Sequence, residues 1–176
     1  MTPVLLTNTI FTNYGGKTGT STAFAVNAAF LIAETEMVSH LHTFLQPTNV
    51  SGTYLWNMGN PFEMDYGYVN SILGINVLTA LAEIYAFTAN DLDHNVFIRN
   101  SKYGQIDIGF GGCSPCSSYP YPYKITVYYN AGLPINISTS PDLLWALTMA
   151  AQLVLNEMST DGFLANETPG GIGVQE

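Results

Sequence analysis

The segment from Pro141 to Met158 is apolar nearly all the way round a helical wheel. Ser140 suits the N-cap, Pro141 the first helical turn and Asp142 the positive end of the helix dipole, so a helix is expected over 141–158. It would span about 27 Å. One face carries Leu143, Leu147, Ala151, Val154 and Met158, and the opposite face carries Trp145 and Met149 with Leu153 beside them. Only Gln152 and Asn156 relieve the pattern. A helix of this kind is buried on both sides. A chain of 176 residues has little material for two covers. Trp145, Met149 and Leu153 are therefore expected at a contact with another subunit.

Charge usage points the same way. The chain has four basic residues (Lys17, Arg99, Lys102 and Lys124) against thirteen acidic ones, for a net charge of −9. Charged residues make up 10% of the chain, against about 25% in an ordinary soluble domain. A monomer of 19.1 kDa exposes roughly 8,400 Å², or about one charge per 500 Å². Either neutral polar groups cover that surface or other chains bury much of it. A basic nucleic-acid binder is excluded, because it needs clustered Lys and Arg to displace counterions. The apolar fraction of 47% supports a real core.

The N-terminus has no basic n-region and no signal peptide is expected. The best membrane candidate, Ile72 to Ala89, contains Asn76, Thr79, Glu83 and Thr88 and lacks basic flanks, so it reads as a buried soluble segment. The sequons at Asn49, Asn136 and Asn166 are expected to be chance matches. Gly-Gly-Lys17-Thr-Gly lacks the spacing and the preceding strand of a P-loop. Cys113 and Cys116, in Cys-Ser-Pro-Cys, could form half a zinc site, a local disulfide or redox pair, or an inert surface loop, and the last is the expected reading. His40 and His42, two apart on a helix, point about 160° away from one another and cannot chelate together. Asp91-Leu-Asp93-His-Asn95 opens like an EF-hand loop, but Val96 and Lys102 occupy the positions of its Gly and Glu. A capping or turn role is expected there. No metal, cofactor or catalytic constellation is expected.

Along the chain, residues 1–22 read as an irregular arm. A first long helix is expected over about 23–45, with Val26, Phe30, Ala33, Met37, Leu41 and Phe44 on its apolar stripe and Pro47 ending it. Residues 48–71 read as loop-rich. Residues 72–88 fit helix or strand, and β-formers favour strand. Two short strands are expected at Val96–Arg99 and Gln105–Phe110 around a turn, and 123–129 is the clearest strand. Residues 159–176 read as a flexible tail with one apolar pair, Phe163 and Leu164. The expected fold class is α+β: two long helices (about 23–45 and 141–158) packed together with an antiparallel β-rich middle region. The expected domain is a single one over 23–158, with a β-rich insertion at 66–129.

The order of elements adds a resemblance. Residues 47–56 read Pro-Thr-Asn-Val-Ser-Gly-Thr-Tyr-Leu-Trp, followed by Asp65-Tyr-Gly-Tyr-Val and Tyr103-Gly-Gln-Ile-Asp-Ile108. Ile125-Thr-Val-Tyr-Tyr-Asn-Ala-Gly-Leu-Pro134 then runs into Ser140-Pro-Asp-Leu-Leu-Trp-Ala-Leu147. A strand ending in Tyr-x-Ala-Gly-x-Pro before a Pro-Asp-Leu helix resembles the head–tail adaptor (connector, neck) proteins of tailed bacteriophages. The resemblance covers about 22–160 and is sharpest over 123–158.

It implies a structural, non-enzymatic virion protein at the head–tail interface, made in the host cytoplasm. It implies a homo-oligomeric ring, a dodecamer, between the portal protein and a tail-side neck or tail-completion protein. Double-stranded DNA would pass through the lumen without specific binding, and no membrane is involved. The C-terminal segment, through Phe163 and Leu164, would dock on the portal. The acidic balance suits a channel wall that lets DNA slide. The alternative from another class is a capsid decoration or tail-fibre-associated adhesion protein.

Overall fold

The computed structural model describes residues 3–57, 61–78, 84–109 and 123–166, with side chains to residue 159. The chain divides into two compact units, 1–40 with 136–176, and 41–135.

The first unit is helical: α1 (Asn8–Asn13), α2 (Ala23–Leu41) and α5 (Pro141–Asn166), with the one-turn α4 (Ile135–Ser138) at its boundary. Residues 3–22, expected as an irregular arm, contain α1, which starts because the Thr7 hydroxyl accepts the Ile10 N–H at 3.2 Å. The arm is held by one buried acid. Glu34 on α2 accepts the Val4 N–H at 2.6 Å and the Leu5 and Leu6 N–H groups at 2.7 Å each. That seats Leu5, Leu6 and Phe11 among the buried residues, with the Phe11 ring 5.0 Å from that of Phe30. The glycine pair that follows is structural. Gly15 has a φ of +90°, and a Cβ on Gly16 would lie 2.5 Å from the Phe11 ring.

The second unit carries two antiparallel sheets. One has the order β1 (Thr48–Trp56), β7 (Tyr123–Ala131), β3 (Val69–Leu78), β4 (Ile84–Ala86). The other has the order β2 (Phe62–Glu63), β6 (Gln105–Ile108), β5 (Val96–Asn100). Alternation along β7 buries Ile125, Val127, Tyr129 and Ala131 completely or nearly so, together with Ile75, Val77, Ile106 and Ile108. Beyond β7, Gly132 has a φ of +136°, and a Cβ there would lie 2.2 Å from the Gln46 carbonyl oxygen. No other residue fits that crossing, which accounts for the Ala-Gly step of the motif. The short α3 (Ala89–Asn95) begins with a capping box between Thr88 and Asp91. The EF-hand-like acid at 91 therefore caps a helix.

The structure overturns the expected architecture of two long helices packed together with an antiparallel β-rich middle. The fold is mixed α+β, but the described residues form five helices and two separate antiparallel sheets. The backbone of α5 lies against α1 more than against α2, because the arm, unread as structure, supplies core residues of its own. The first long helix also ends at Leu41, before Pro47: His42 takes a φ of +48°, the left-handed conformation that closes helices. Leu41 is exposed and Phe44 belongs to the sheet unit. Residues 48–71, expected as loop, hold β1, β2 and the start of β3. Among the described residues no helix is long and apolar enough to cross a membrane. The Cys113–Cys116 loop lies outside the described residues.

Two predictions follow from these contacts. Glu34→Gln places an amide N–H against a backbone N–H, and it should lower unfolding free energy by about 2–4 kcal/mol. Denaturant titration, with hydrogen exchange at Leu5 and Leu6, checks it; unchanged stability with retained protection would be the contrary result. The second concerns Tyr54, whose hydroxyl bonds Asp65 at 3.2 Å and lies 3.4 Å from the Tyr129 hydroxyl. Burial pushes both phenols above their usual range. A raised folded-state pKa stabilises fully below the unfolded value of 10.0 and is lost as pH rises through the folded one. Stability should therefore fall above pH 10, with two of the eleven tyrosines ionising only on unfolding. Phenolate absorbance read against circular dichroism tests this, and Tyr54→Phe with Tyr129→Phe should remove the effect.

Candidate subunit interface

Helix α5 starts where the sequence places it. The Ser140 hydroxyl accepts the Leu143 N–H at 3.4 Å, and its carbonyl accepts the Leu144 N–H at 3.1 Å. The helix runs to Asn166, eight residues beyond the expected end at 158. Phe163 and Leu164 therefore lie on helical backbone, and their side chains fall outside the described residues.

The buried stripe is Leu144, Leu147, Thr148, Ala151 and Leu155, at helical spacing. It differs in phase from the expected stripe: Leu147 and Ala151 are shared, whereas Leu143, Val154 and Met158 are half-buried. An all-round apolar helix has little amphipathic contrast, so the pattern does not reveal which apolar residues face in.

The opposite face carries the expected interface residues. Trp145 is 56% exposed, Leu153 is 64% exposed, and Met149 between them is half-buried. Successive members four apart advance about 40°, so the three form one stripe about 12 Å long, and Met149 stands about 160° from Leu147 and Ala151. An exposed indole in line with two aliphatic side chains is the composition of an interface core.

Polar residues border the stripe. Gln152 Nε2 donates to Asn156 Oδ1 at 2.9 Å, and Gln152 Oε1 accepts the Lys17 backbone N–H at 2.7 Å. The glycine-rich loop is thereby tied to α5, and Lys17 to Ser21 line a shallow depression beside Met149. Sequence reasoning did not find this border.

Chemistry is thin elsewhere. Among the described residues no group of three His, Cys, Asp or Glu side chains could hold a metal ion. His94 Nδ1 lies 2.9 Å from the Asn90 carbonyl oxygen of its own helix. Among the described residues Arg99 and Asp107, 2.9 Å apart, form the only side-chain ion pair.

The two faces of α5 should separate by mutation. Leu147→Ala empties a fully buried site and should cost about 2–5 kcal/mol. Trp145→Ala should change stability by less than about 1 kcal/mol. Urea titration of both variants checks the assignment. Unfolding of the Trp145 variant with a stable Leu147 variant would reverse the faces.

No family model matches the chain, and no curated protein matches it in sequence. The chain is similar in structure to a solved assembly described as the neck of an empty GTA particle computed with C6 symmetry. The TM-score is 0.56 at 14% sequence identity, over 84% of this chain and 77% of that one. At that identity the likeness is one of fold: the chain shares the fold of a neck component of a phage-like gene transfer agent particle.

Proposed function

We propose that the protein is a structural, non-enzymatic neck component of a phage-like particle, assembled as a homomeric ring between the portal protein and a tail-side protein. The observation that carries this reading is the likeness, over most of both chains, to a particle neck. The exposed Trp145–Met149–Leu153 stripe supports it, because a ring supplies every subunit with the cover that a monomer lacks. The C6 symmetry belongs to the neighbour's particle; a ring of twelve also contains a sixfold axis, so a dodecamer is compatible with it. Four cations against thirteen acids suit a wall past which DNA moves without binding. On this reading the C-terminal segment around Phe163 and Leu164 meets the portal, and the protein resides at the head–tail junction of the virion.

The test is assembly of the full chain, with and without portal protein, followed by sedimentation and negative-stain class averages. A closed ring is the expected result. Trp145→Ala should weaken each interface by about 2 kcal/mol, roughly thirtyfold in association constant, while the chain stays folded. A wild-type chain that remains monomeric at every concentration, even beside the portal, would refute the reading.

A further inference from the structure

Strand β1 is the long edge of the larger sheet, bonded to β7 on one side only. Alternate residues of an edge strand direct both N–H and C=O away from the sheet. Among the described residues, those outward backbone groups of β1 have no partner.

Edges of this length are ordinarily blunted by Lys or other charges, by Pro, by bulges or by shortness. β1 has none of these. Its nine residues, Thr-Asn-Val-Ser-Gly-Thr-Tyr-Leu-Trp, include no charged residue and no proline, although the chain carries thirteen acids. Its register with β7 runs unbroken from Thr48 opposite Ala131 to Trp56 opposite Tyr123. By contrast β3 is bulged, β4 has three residues and β2 has two. The inward row also stops short at this edge. Ile125, Val127 and Tyr129 on β7 are at most 1% exposed, whereas Val50 and Tyr54 beside them on β1 are only half-buried.

The second sheet ends in another uncovered strand. β5 is bonded only to β6; its end at Arg99 and Asn100 carries a charge and a register shift, whereas Phe97 and Ile98 before that shift are 53% and 37% exposed on opposite faces. An apolar side chain on each face of an edge strand is what a strand buries when it is inserted beside another.

A ring is built from heterologous contacts, in which one surface of each copy meets a different surface of the next. Among the described residues the four sheet edges are β1, β4, β2 and β5, and β4 and β2 are too short to pair at length. We propose that β1 accepts β5 of a second copy by strand addition, so that the larger sheet of one subunit continues into the smaller sheet of its neighbour. The occupant is a copy of this chain because the unprotected acceptor edge and the doubly apolar donor edge are both present on it. This rests on the ring reading and adds a backbone-paired contact to the side-chain contact at Trp145.

The test is amide hydrogen exchange of the full chain below and above its assembly concentration, with mass read in parallel by sedimentation. On ring formation, exchange across 48–56 and across 96–100 should slow by about tenfold or more. Thr53→Lys and Phe97→Lys, both at exposed positions, should each reduce assembly at least tenfold with unchanged circular dichroism. A ring whose 48–56 amides exchange as fast as in the monomer would overturn the strand pairing and leave the ring reading standing. A twofold dimer protected only at 48–56 would mean β1 pairs with itself, which also overturns it. Protection of 48–56 that appears only with portal or tail protein would assign the edge to a foreign strand and overturn it. Absence of any oligomer would remove the ring reading and this inference together.

Discussion

Strand β7 has a neighbour along nearly its whole length on each side, and the sheet unit is organised around it. β1 pairs with all nine of its residues, and β3 pairs with it from Ala131 to Lys124. Because side chains alternate strictly, a slip of one residue would turn Ile125, Val127 and Tyr129 to solvent. Register is therefore held by burial. The strand leaves the sheet through Gly132, where only a residue without Cβ can pass the Gln46 carbonyl. The Gly132 N–H donates to the Tyr68 carbonyl at 3.0 Å, and the Leu133 N–H to that of Phe44 at 2.9 Å, so the exit is itself pinned.

The helical unit depends on a different device. A carboxylate at 4% exposure would be costly if unpaired, yet Glu34 is surrounded by three backbone donors. It does for residues 4–6 what a neighbouring strand would do, and it satisfies their amides where water is excluded. The apolar side chains that follow then become available as core. Polar satisfaction and hydrophobic burial are coupled here: without the acid, Leu5, Leu6 and Phe11 have no reason to dock in register.

Electrostatics contributes little to cohesion. The Arg99–Asp107 pair has its arginine 58% exposed and is worth little in water. The surface is instead made of neutral hydroxyls and amides, such as the row of Asn49, Asn130 and Asn70 joined across β1, β7 and β3. Where it is made of neutral groups, a surface of this kind pays little desolvation when it is covered. It suits an assembled protein, and it leaves the Trp145 stripe and the β1 edge without the charges that keep monomers apart.

Several features were legible in the sequence because they are local. The capped start of α5 at Ser140 needs only the side chains of one turn. The alternation of β7 and the pair β5 and β6 follow from period-two burial. The exposure of Trp145 and Leu153 follows from an apolar wheel that one chain cannot cover. The remaining features were decided by contacts distant in sequence. β1 reads as loop because an edge strand needs few apolar residues, and its partner lies more than sixty positions away. The inner face of α5 was set by which neighbours reached it, since a helix apolar all round carries no phase of its own. Glu34 sits between buried Ala33 and exposed Thr35, and nothing in its own segment marks a carboxylate there for burial; it is a core residue because the arm folds onto it. Sequence determined where elements with a strong internal period begin and which faces they share. Tertiary structure decided which acid is buried, which strand lies at an edge and which side of α5 faces in, because each of those depends on the residues that pack across from it.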